Sequence, residues 1–478
     1  MKRRQFLQAL GVGACAFWAG CSSKQRSPNF IVVLIDDMGW TDAGCYGSSY
    51  YQTPHIDRLA AEGMKFTNGY AACAVCSPTR AALMTGRYPA RIGITDWIRA
   101  RFQGGEIPDD QTFEPKYVGG PDKELLCPQN PLWMELDEVT IAEVLKPKGY
   151  VSCHIGKWHL GADPWYPDKQ GFDYNIGGCD YGQPPSYFDP YRNQRLDGIP
   201  NLEPREQGEY LTDREADEAV HFIMKHRNQP FFLYLAHYAV HTPIQAKQKL
   251  TDKYRNMTAT TAQNNPEYAA MVESVDHALG KVLRTLDELD LTDDTFVLFT
   301  SDNGGLLPKT SNQPLRSGKG FPYEGGIREP FIVRWPGNVA KGTVNDTPVC
   351  SIDVLPTIAE IAGLLLPESR TIDGQSIVPL LTGKGDWQRD ALFWHFPHYR
   401  YGQEVPYSIV RQGDWKLIKR YTGKPFELYN LSDDLSETTD LSETLPDKVT
   451  ELDDLLADWL TSTGARMPKP NPDYNPSL

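Results

Sequence analysis

The sequence predicts an α/β protein: a large, mostly parallel central sheet sandwiched by helices, then a small C-terminal antiparallel sheet with a covering helix. Three observations carry this. Continuous apolar runs, such as Asn29–Ile35 and Phe231–Ala236, read as strands buried on both faces. Segments with helical spacing of apolar residues alternate with them. From about Ala391 the runs become short and are separated by turns such as Gly413-Asp414.

The elements follow in order. Asn29–Ile35 is the first strand and runs straight into Asp36-Asp37. Thr53-Pro54 opens a helix, with Thr53 as N-cap and Pro54 at the first helical position. Pro78 fits the first turn of a helix propagated by Ala81, Ala82, Leu83 and Met84, which places Cys76 at its N-terminus. Thr140-Ile141-Ala142-Glu143 is a capping box for a helix ending near Gly149, and Tyr150–Ile155 is the next strand. Thr212-Asp213-Arg214-Glu215 reads as a second capping box, with Ala216, Val220 and Met224 on one helix face. After the Phe231–Ala236 strand, Pro266 starts a long helix with Val272, Val275, Leu279, Val282, Leu286 and Leu289 at helical spacing. The strand Thr295–Thr300 runs into Ser301-Asp302-Asn303-Gly304. Ala391–Phe396, Tyr407–Gln412, Trp415–Arg420 and Phe426–Tyr429 form the antiparallel set, covered by a helix carrying Val449, Leu452, Leu456 and Leu460. These shifts divide the chain into residues 1–27, 28–385 and 386–478.

The first 27 residues read as an export signal or tether. Lys2, Arg3 and Arg4 precede an apolar stretch, Phe6 to Gly20, too short to span a bilayer. Arg3-Arg4-Gln5-Phe6-Leu7 resembles a twin-arginine signal, and Ala19-Gly20-Cys21 resembles the end of a bacterial lipoprotein box, with Trp18 where that box usually carries Leu. A lipid anchor at Cys21 and simple cleavage nearby both stay open. Either way the protein is expected to be exported, to the periplasm or the cell surface.

The formal net charge of −14 argues against nucleic acid as the main partner. It also requires that an anionic substrate be drawn by a local cationic pocket rather than by overall charge. Cys45, Cys73, Cys127, Cys153, Cys179 and Cys350 show no CxxC spacing among themselves, so they do not suggest zinc. Export permits disulfides, but the spacing does not pair them.

Ligands in open α/β sheets bind beyond the carboxyl ends of strands. Asp36, Asp37, Asp302 and Asn303 stand at two such ends and offer only oxygen donors, a set suited to calcium or magnesium. Cys76 at a helix N-terminus sits where the dipole favours negative charge, and Arg80 lies one turn along.

The segment Cys76-Ser77-Pro78-Thr79-Arg80, continuing to Gly86-Arg87, resembles the maturation signature of the type I, formylglycine-dependent sulfatases of the alkaline phosphatase superfamily. Thr79 stands where Ser is more common. The likeness extends to Gly156-Lys157-Trp158-His159-Leu160-Gly161, Ala239-Val240-His241-Thr242-Pro243, Thr300 to Gly305, and Gly318-Lys319-Gly320 with Tyr323-Glu324-Gly325-Gly326.

The resemblance implies an alkaline-phosphatase-like fold and one Ca²⁺ held by Asp36, Asp37, Asp302 and Asn303. It implies that a maturation enzyme oxidises Cys76 to formylglycine, whose hydrate attacks the sulfur of a sulfate ester. Arg80 would stabilise the oxyanion and Asp302 take the proton. Lys157 and Lys319 would hold sulfate oxygens, His159 would help expel sulfate, and His241 would protonate the leaving alcohol at a pKa near neutrality. Lys157 and His159, two residues apart, would point to the same side of an extended chain. The implied substrate is a sulfated carbohydrate of galactose or N-acetylgalactosamine type, as for bacterial polysaccharide sulfatases. Trp97, Arg99, Arg101, His395 and His398 are candidate sugar contacts or packing residues, and His237 is a candidate structural residue. Two other readings stay open: a phosphonate monoester or phosphodiester hydrolase of the same superfamily, and a non-catalytic lipoprotein that binds sulfated glycans.

Overall fold

The computed structural model describes residues 27–104, 116–260, 262–400 and 404–477. The export segment with Cys21 lies outside the described residues.

A nine-stranded mixed sheet forms the centre, and eight of its strands run in the order Thr343–Asn345, Met64–Tyr70, Arg328–Arg334, Thr295–Ser301, Asn29–Ile35, Phe231–Ala236, Val151–Gly156 and Tyr174–Ile176. Arg328–Arg334 pairs antiparallel with both neighbours, and the other pairings along this path are parallel. Asn29–Ile35 is buried on both faces, as a central strand of a covered sheet must be. Its residues alternate between two cores. Ile31, Val33 and Ile35 pack with the Pro266–Glu288 and Leu211–His226 helices. Phe30, Val32 and Leu34 pack with Leu83 and Met84 of the Cys76–Thr85 helix and with Leu355 and Ile358 of the Val354–Ile361 helix.

The fold class is as the sequence predicts, and most elements fall within a residue or two of their predicted bounds. Three local expectations are corrected. The helix predicted from Thr212 starts at Leu211, with Tyr210 as a cap that offers no side-chain bond. Glu215, expected to close that box, instead bonds His237 Nδ1 at 2.6 Å. The buried face of this helix is Ala216, Ala219, Phe222 and Ile223; Val220 is only partly buried and Met224 is exposed. At the Pro54–Glu62 helix, Thr53 makes no capping bond. Asp276 Oδ1, from the long helix, accepts from His55 and Ile56 N–H at 2.8 Å each instead. At the Pro54–Glu62 helix and at Glu215 a distant partner displaced a local one. The Thr140–Glu143 capping box forms as read.

The C-terminal sheet, Leu392–Phe396, Tyr407–Gln412, Trp415–Arg420 and Glu427–Asn430, is antiparallel throughout. The Pro446–Thr463 helix covers it through Leu452, Leu456 and Leu460, which share one core with Tyr88 and Ala82 of the larger unit. Trp394 Nε1 donates to the Ala71 carbonyl at 2.7 Å, just upstream of Cys76. Lys416 reaches across to Glu324 at 2.9 Å and to Glu437 at 2.8 Å, all three wholly buried. The seven cysteines among the described residues are free thiols.

Removing one partner of a buried ion cluster leaves an uncompensated charge. Lys416→Met is therefore expected to destabilise the fold by about 3–5 kcal/mol, read from urea unfolding.

Candidate active site

Four adjacent parallel strands end at one edge of the sheet. Register places Leu34 opposite Thr300 and Ala236, and Ala236 opposite Gly156. The residues that follow therefore emerge together: Asp36-Asp37, Asp302-Asn303, His237 to His241, and Lys157 to His159. Backbone bonds continue past the strand ends, with Asp302 N–H on the Ile35 carbonyl and Lys157 N–H on the Ala236 carbonyl. Two glycines allow the close approach. Gly156 has φ +95°, and a Cβ there would sit 2.1 Å from the Ala236 oxygen. A Cβ on Gly304 would sit 1.8 Å from the Gly325 oxygen.

Cys76 opens the Cys76–Thr85 helix, as predicted, and Arg80 stands one turn along. The Arg80 guanidinium is wholly buried. Its Nε donates to Asp302 Oδ2 at 2.8 Å, its Nη1 to the Lys157 carbonyl at 2.7 Å, and its Nη2 lies 3.7 Å from Asp36. Lys157 Nζ donates to Asp36 Oδ2 at 2.6 Å. Lys319 Nζ donates to Asp37 Oδ1 at 2.5 Å, and Asn303 Nδ2 donates to the same oxygen at 2.8 Å. His241 Nε2 lies 3.6 Å from Asp37 Oδ2, and its Nδ1 faces the Thr242 carbonyl at 2.9 Å. The expected residues thus converge.

The charges do not settle evenly among themselves. Burial pushes the Asp36 carboxyl well up, and Asp302 and Asp37 reinforce this against Lys157 and Arg80. Burial also raises Asp37, but Lys319, His241 and Lys157 outweigh it and hold it low. Asp302 is likewise held low, mainly by Arg80. Asp36 Oδ1, Asp37 Oδ2 and Asn303 Oδ1 are buried without a hydrogen-bond partner. Unsatisfied buried oxygens of this kind are costly, and a hard divalent cation fits them. Asp36, Asp37 and His241 also have ligand atoms within 4.8 Å of one another. The donor set therefore fits calcium.

Two expectations change. The chain beyond Gly156 is not extended, because His159 has φ 59°, so alternation does not orient Lys157 and His159. His159 Nε2 instead meets the Ile98 carbonyl at 2.7 Å. Neither histidine stays near neutrality. Burial, then Lys319, pushes His241 down to about 3, and burial, then Lys157 and Arg80, pushes His159 well below its usual value. Protonation of a leaving group by His241 therefore requires a bound anion beside it to raise it.

The sequence reading missed the support behind these groups. Asp42 Oδ2 accepts from Tyr268 Oη at 2.6 Å, and its Oδ1 accepts from Thr310 at 2.9 Å and Gln263 at 3.2 Å. Tyr268 Oη also faces the Asp37 carbonyl at 3.2 Å, which steadies Asp37 at φ 61°. Only Asp42 is near Asp37 in sequence, so no local pattern signals this network. His237 is structural, as its bond to Glu215 indicates. Both ring nitrogens of His395 are used internally, on Ser408 and the Arg466 carbonyl. Arg101 is engaged with the Asp163 carbonyl at 2.5 Å. Trp97, Arg99 and His398 line a pocket of about 190 Å³.

Arg80→Met would leave Asp302 and Asp36 buried without their cation. It is expected to cost about 3–5 kcal/mol in calcium-free protein, less when calcium is present, by denaturant titration.

Comparison with known proteins agrees with this geometry. The sulfatase family model matches residues 28–364, and one described as N-sulphoglucosamine sulphohydrolase, C-terminal, matches 317–463. Human N-acetylgalactosamine-6-sulfatase is 38% identical over 385 residues, covering 76% of this chain and 67% of that protein. A sulfatase of Formosa agariphila is 34% identical over 521 residues, covering 92% and 90%. The solved structure of Ps i-CgsB has a TM-score of 0.76 at 30% identity, covering 91% and 93%. The phosphonate monoester hydrolase of Agrobacterium radiobacter, at 19% identity and TM-score 0.65, shares the fold. The chain therefore belongs to the sulfatase family, enzymes that hydrolyse sulfate esters.

Proposed function

We propose that this sulfatase acts on a sulfated carbohydrate of galactose or N-acetylgalactosamine type, after oxidation of Cys76 to formylglycine and with one calcium ion on Asp36, Asp37, Asp302 and Asn303. The observation that carries the reading is Cys76 at a helix N-terminus within the field of Arg80 and Lys319, beside buried carboxylates with unsatisfied oxygens. The relatives support the sugar. One is named N-acetylgalactosamine-6-sulfatase, and Ps i-CgsB was also solved in complex with k-i-k-neocarrahexaose. The formylglycine would supply the oxygen nucleophile, and calcium would supply positive charge against the sulfate oxygens.

The chain's own residues do the rest. Arg80, Lys157 and Lys319 balance Asp36, Asp37 and Asp302 one for one, so a bound divalent cation leaves the site net positive toward a sulfate monoester. This answers the requirement for a local cationic pocket in an acidic protein. Arg80 donates to Asp302 Oδ2 and so holds in place the carboxylate that would take the proton from the attacking oxygen. Lys157 and Lys319 present ammonium groups to the sulfate oxygens, where preorganised charge does most of the work. His159 is fixed by Ile98 and His241 by Thr242, so each keeps one ring face or nitrogen for the reacting groups.

Residues 1–27 are proposed as an export signal that delivers the enzyme to the periplasm or cell surface, with lipidation of Cys21 and simple cleavage nearby as the two outcomes, and a formylglycine-generating or sulfatase-maturating enzyme is the proposed maturation partner.

Mass spectrometry of the Cys76 peptide after co-expression with a maturation enzyme is expected to show the aldehyde, and Cys76→Ala to abolish turnover while keeping the fold. Persistent thiol in an active enzyme would overturn the nucleophile assignment. Lys157→Ala or Lys319→Ala is expected to lower kcat about 10²- to 10³-fold. Exhaustive chelation is expected to abolish activity and lower the melting temperature; calcium at 100 times its Kd would restore about 2.7 kcal/mol. Faster hydrolysis of a phosphate ester than of the sulfate ester of the same phenol would favour the phosphonate or phosphodiester reading instead.

A further inference from the structure

A pocket of about 310 Å³ lies at the seam between the large unit and the C-terminal sheet, with Thr347, Pro348, Trp387, Arg389, Leu392 and Arg411 in its walls. Thr347 and Pro348 lead into Val349-Cys350, which pairs with the Met64–Tyr70 strand of the central sheet. Trp387 and Arg389 lie on the connection into the C-terminal sheet, where Leu392 pairs with Arg411. None of the groups assigned above to the sulfate, the metal or the nucleophile lines it.

Two arginines define its chemistry. The Arg389 side chain is 7% exposed and Arg411 is 4% exposed. Arg389 Nη2 donates to Asp353 Oδ1 at 2.5 Å. Asp353 is itself held by Cys350 N–H at 2.8 Å and Gln375 N–H at 2.9 Å. Arg411 Nε donates to the Gly413 carbonyl at 3.0 Å, and its Nη1 donates to Asn68 Oδ1 at 3.3 Å and to the Tyr70 hydroxyl. Each guanidinium is thus fixed at one end and unspent at the other. Among the described residues, Arg389 Nη1 and Arg411 Nη2 have no protein partner, and neither atom is shielded from solvent. Donors preplaced by other bonds lose little freedom when an oxyanion pairs with them.

The buried charge behind Arg411 is short of an anion. Arg328, Arg411 and Lys416 face two buried carboxylates, Glu324 and Glu437. Arg389 and Asp353 cancel each other. Asp390 and Asp414 stand nearby, but both are exposed, so solvent and salt screen them. An oxyanion in the pocket would supply the missing charge.

The rest of the wall is apolar. The Trp387 ring lies 5.2 Å from the Arg389 guanidinium, and its Nε1 donates to the Ser376 carbonyl at 2.9 Å, which fixes the ring. Pro348 and Leu392 continue this surface. A bare hydrated ion would leave it unused, whereas an anion on a flat apolar body uses both halves. The volume stands at the lower end of small-molecule pockets, room for one ring and its acid group.

We propose that this pocket binds a small organic acid, whose carboxylate pairs with Arg389 Nη1 and Arg411 Nη2 and whose body packs against Trp387, Pro348 and Leu392. The occupant bridges the two units. Through Arg411, Tyr70 and Glu324 it also braces the segment that follows Lys319.

Benzoate is the probe, with benzamide as its uncharged counterpart and inorganic sulfate as an oxyanion without a body. Binding to the full chain is read by calorimetry and by the shift in melting temperature, neither of which depends on maturation of Cys76. Benzoate is expected to bind about tenfold or more tighter than either control, because the charge-assisted bonds and the apolar contact each contribute a factor of that order. Arg389→Lys keeps a cation beside Asp353 but loses the planar fork, and is expected to weaken benzoate about tenfold. Thr347→Trp fills the pocket from a partly exposed position and leaves every charge in place; it is expected to abolish binding. Lys319→Ala, in the catalytic site, is expected to leave benzoate affinity within about twofold, as for independent sites. Benzoate binding that survives Thr347→Trp unchanged, or that is lost only in Lys319→Ala, would overturn the site. So would benzamide or sulfate binding as tightly as benzoate, or no benzoate binding at all.

Discussion

The Arg80 guanidinium is the contact on which the catalytic edge depends. It is wholly buried, so its desolvation must be offset by carboxylates and carbonyls in good geometry. It finds them on three separate pieces of chain: Asp302 after one strand, Asp36 after another, and the Lys157 carbonyl after a third. One planar group thereby fixes the Cys76 helix against three strand ends. The ammonium of a lysine could not span the same fork, because its donors radiate from a single point. Where Cys76 stands relative to Asp36, Asp37 and Asn303 follows from this clamp.

The clamp is surrounded by stored strain. Asp37, His159 and Ser317 all adopt left-handed backbone, with φ near 60°. Such residues persist only where their surroundings over-determine them. Asp37 is held by the Tyr268 and Asp42 network, and His159 by its bonds to Ile98 and, through its carbonyl, Ser77. Ser317 lies in the loop that delivers Lys319.

That loop explains what the C-terminal sheet contributes. Arg316 stacks 3.7 Å over the Tyr323 ring and donates to the Tyr429 hydroxyl and the Glu437 carbonyl. Glu324 receives Lys416 from the same sheet. The Lys319 loop is therefore gripped from the C-terminal side while Lys319 itself reaches Asp37. The small sheet and the large one share the task of placing one ammonium group.

Much of this was legible in sequence because it is decided locally. A strand buried on both faces must be continuously apolar, so Asn29–Ile35 and Thr295–Ser301 announced themselves, and with them the acidic residues at their ends. Pro78 and the alanines after it fixed the helix that starts at Cys76, and the C-terminal strands were readable from their turns. The failures were also local in cause. Thr53 and Thr212 carry good capping side chains, yet Asp276 took over one helix end, and the other helix started ahead of its signal. Glu215 was drawn to His237, and Met224 faces solvent because the packing face of its helix turned by about one residue. By itself the sequence determined which elements form and which chemical groups stand at their ends, since periodicity and backbone hydrogen bonding act over a few residues. Only the tertiary structure decided who pairs with whom: Arg80 with Asp302, Asp42 with Tyr268, and Lys319 with Asp37. Those partners lie far apart in the chain, and the order of strands in the sheet, which no local pattern encodes, is what brings them together.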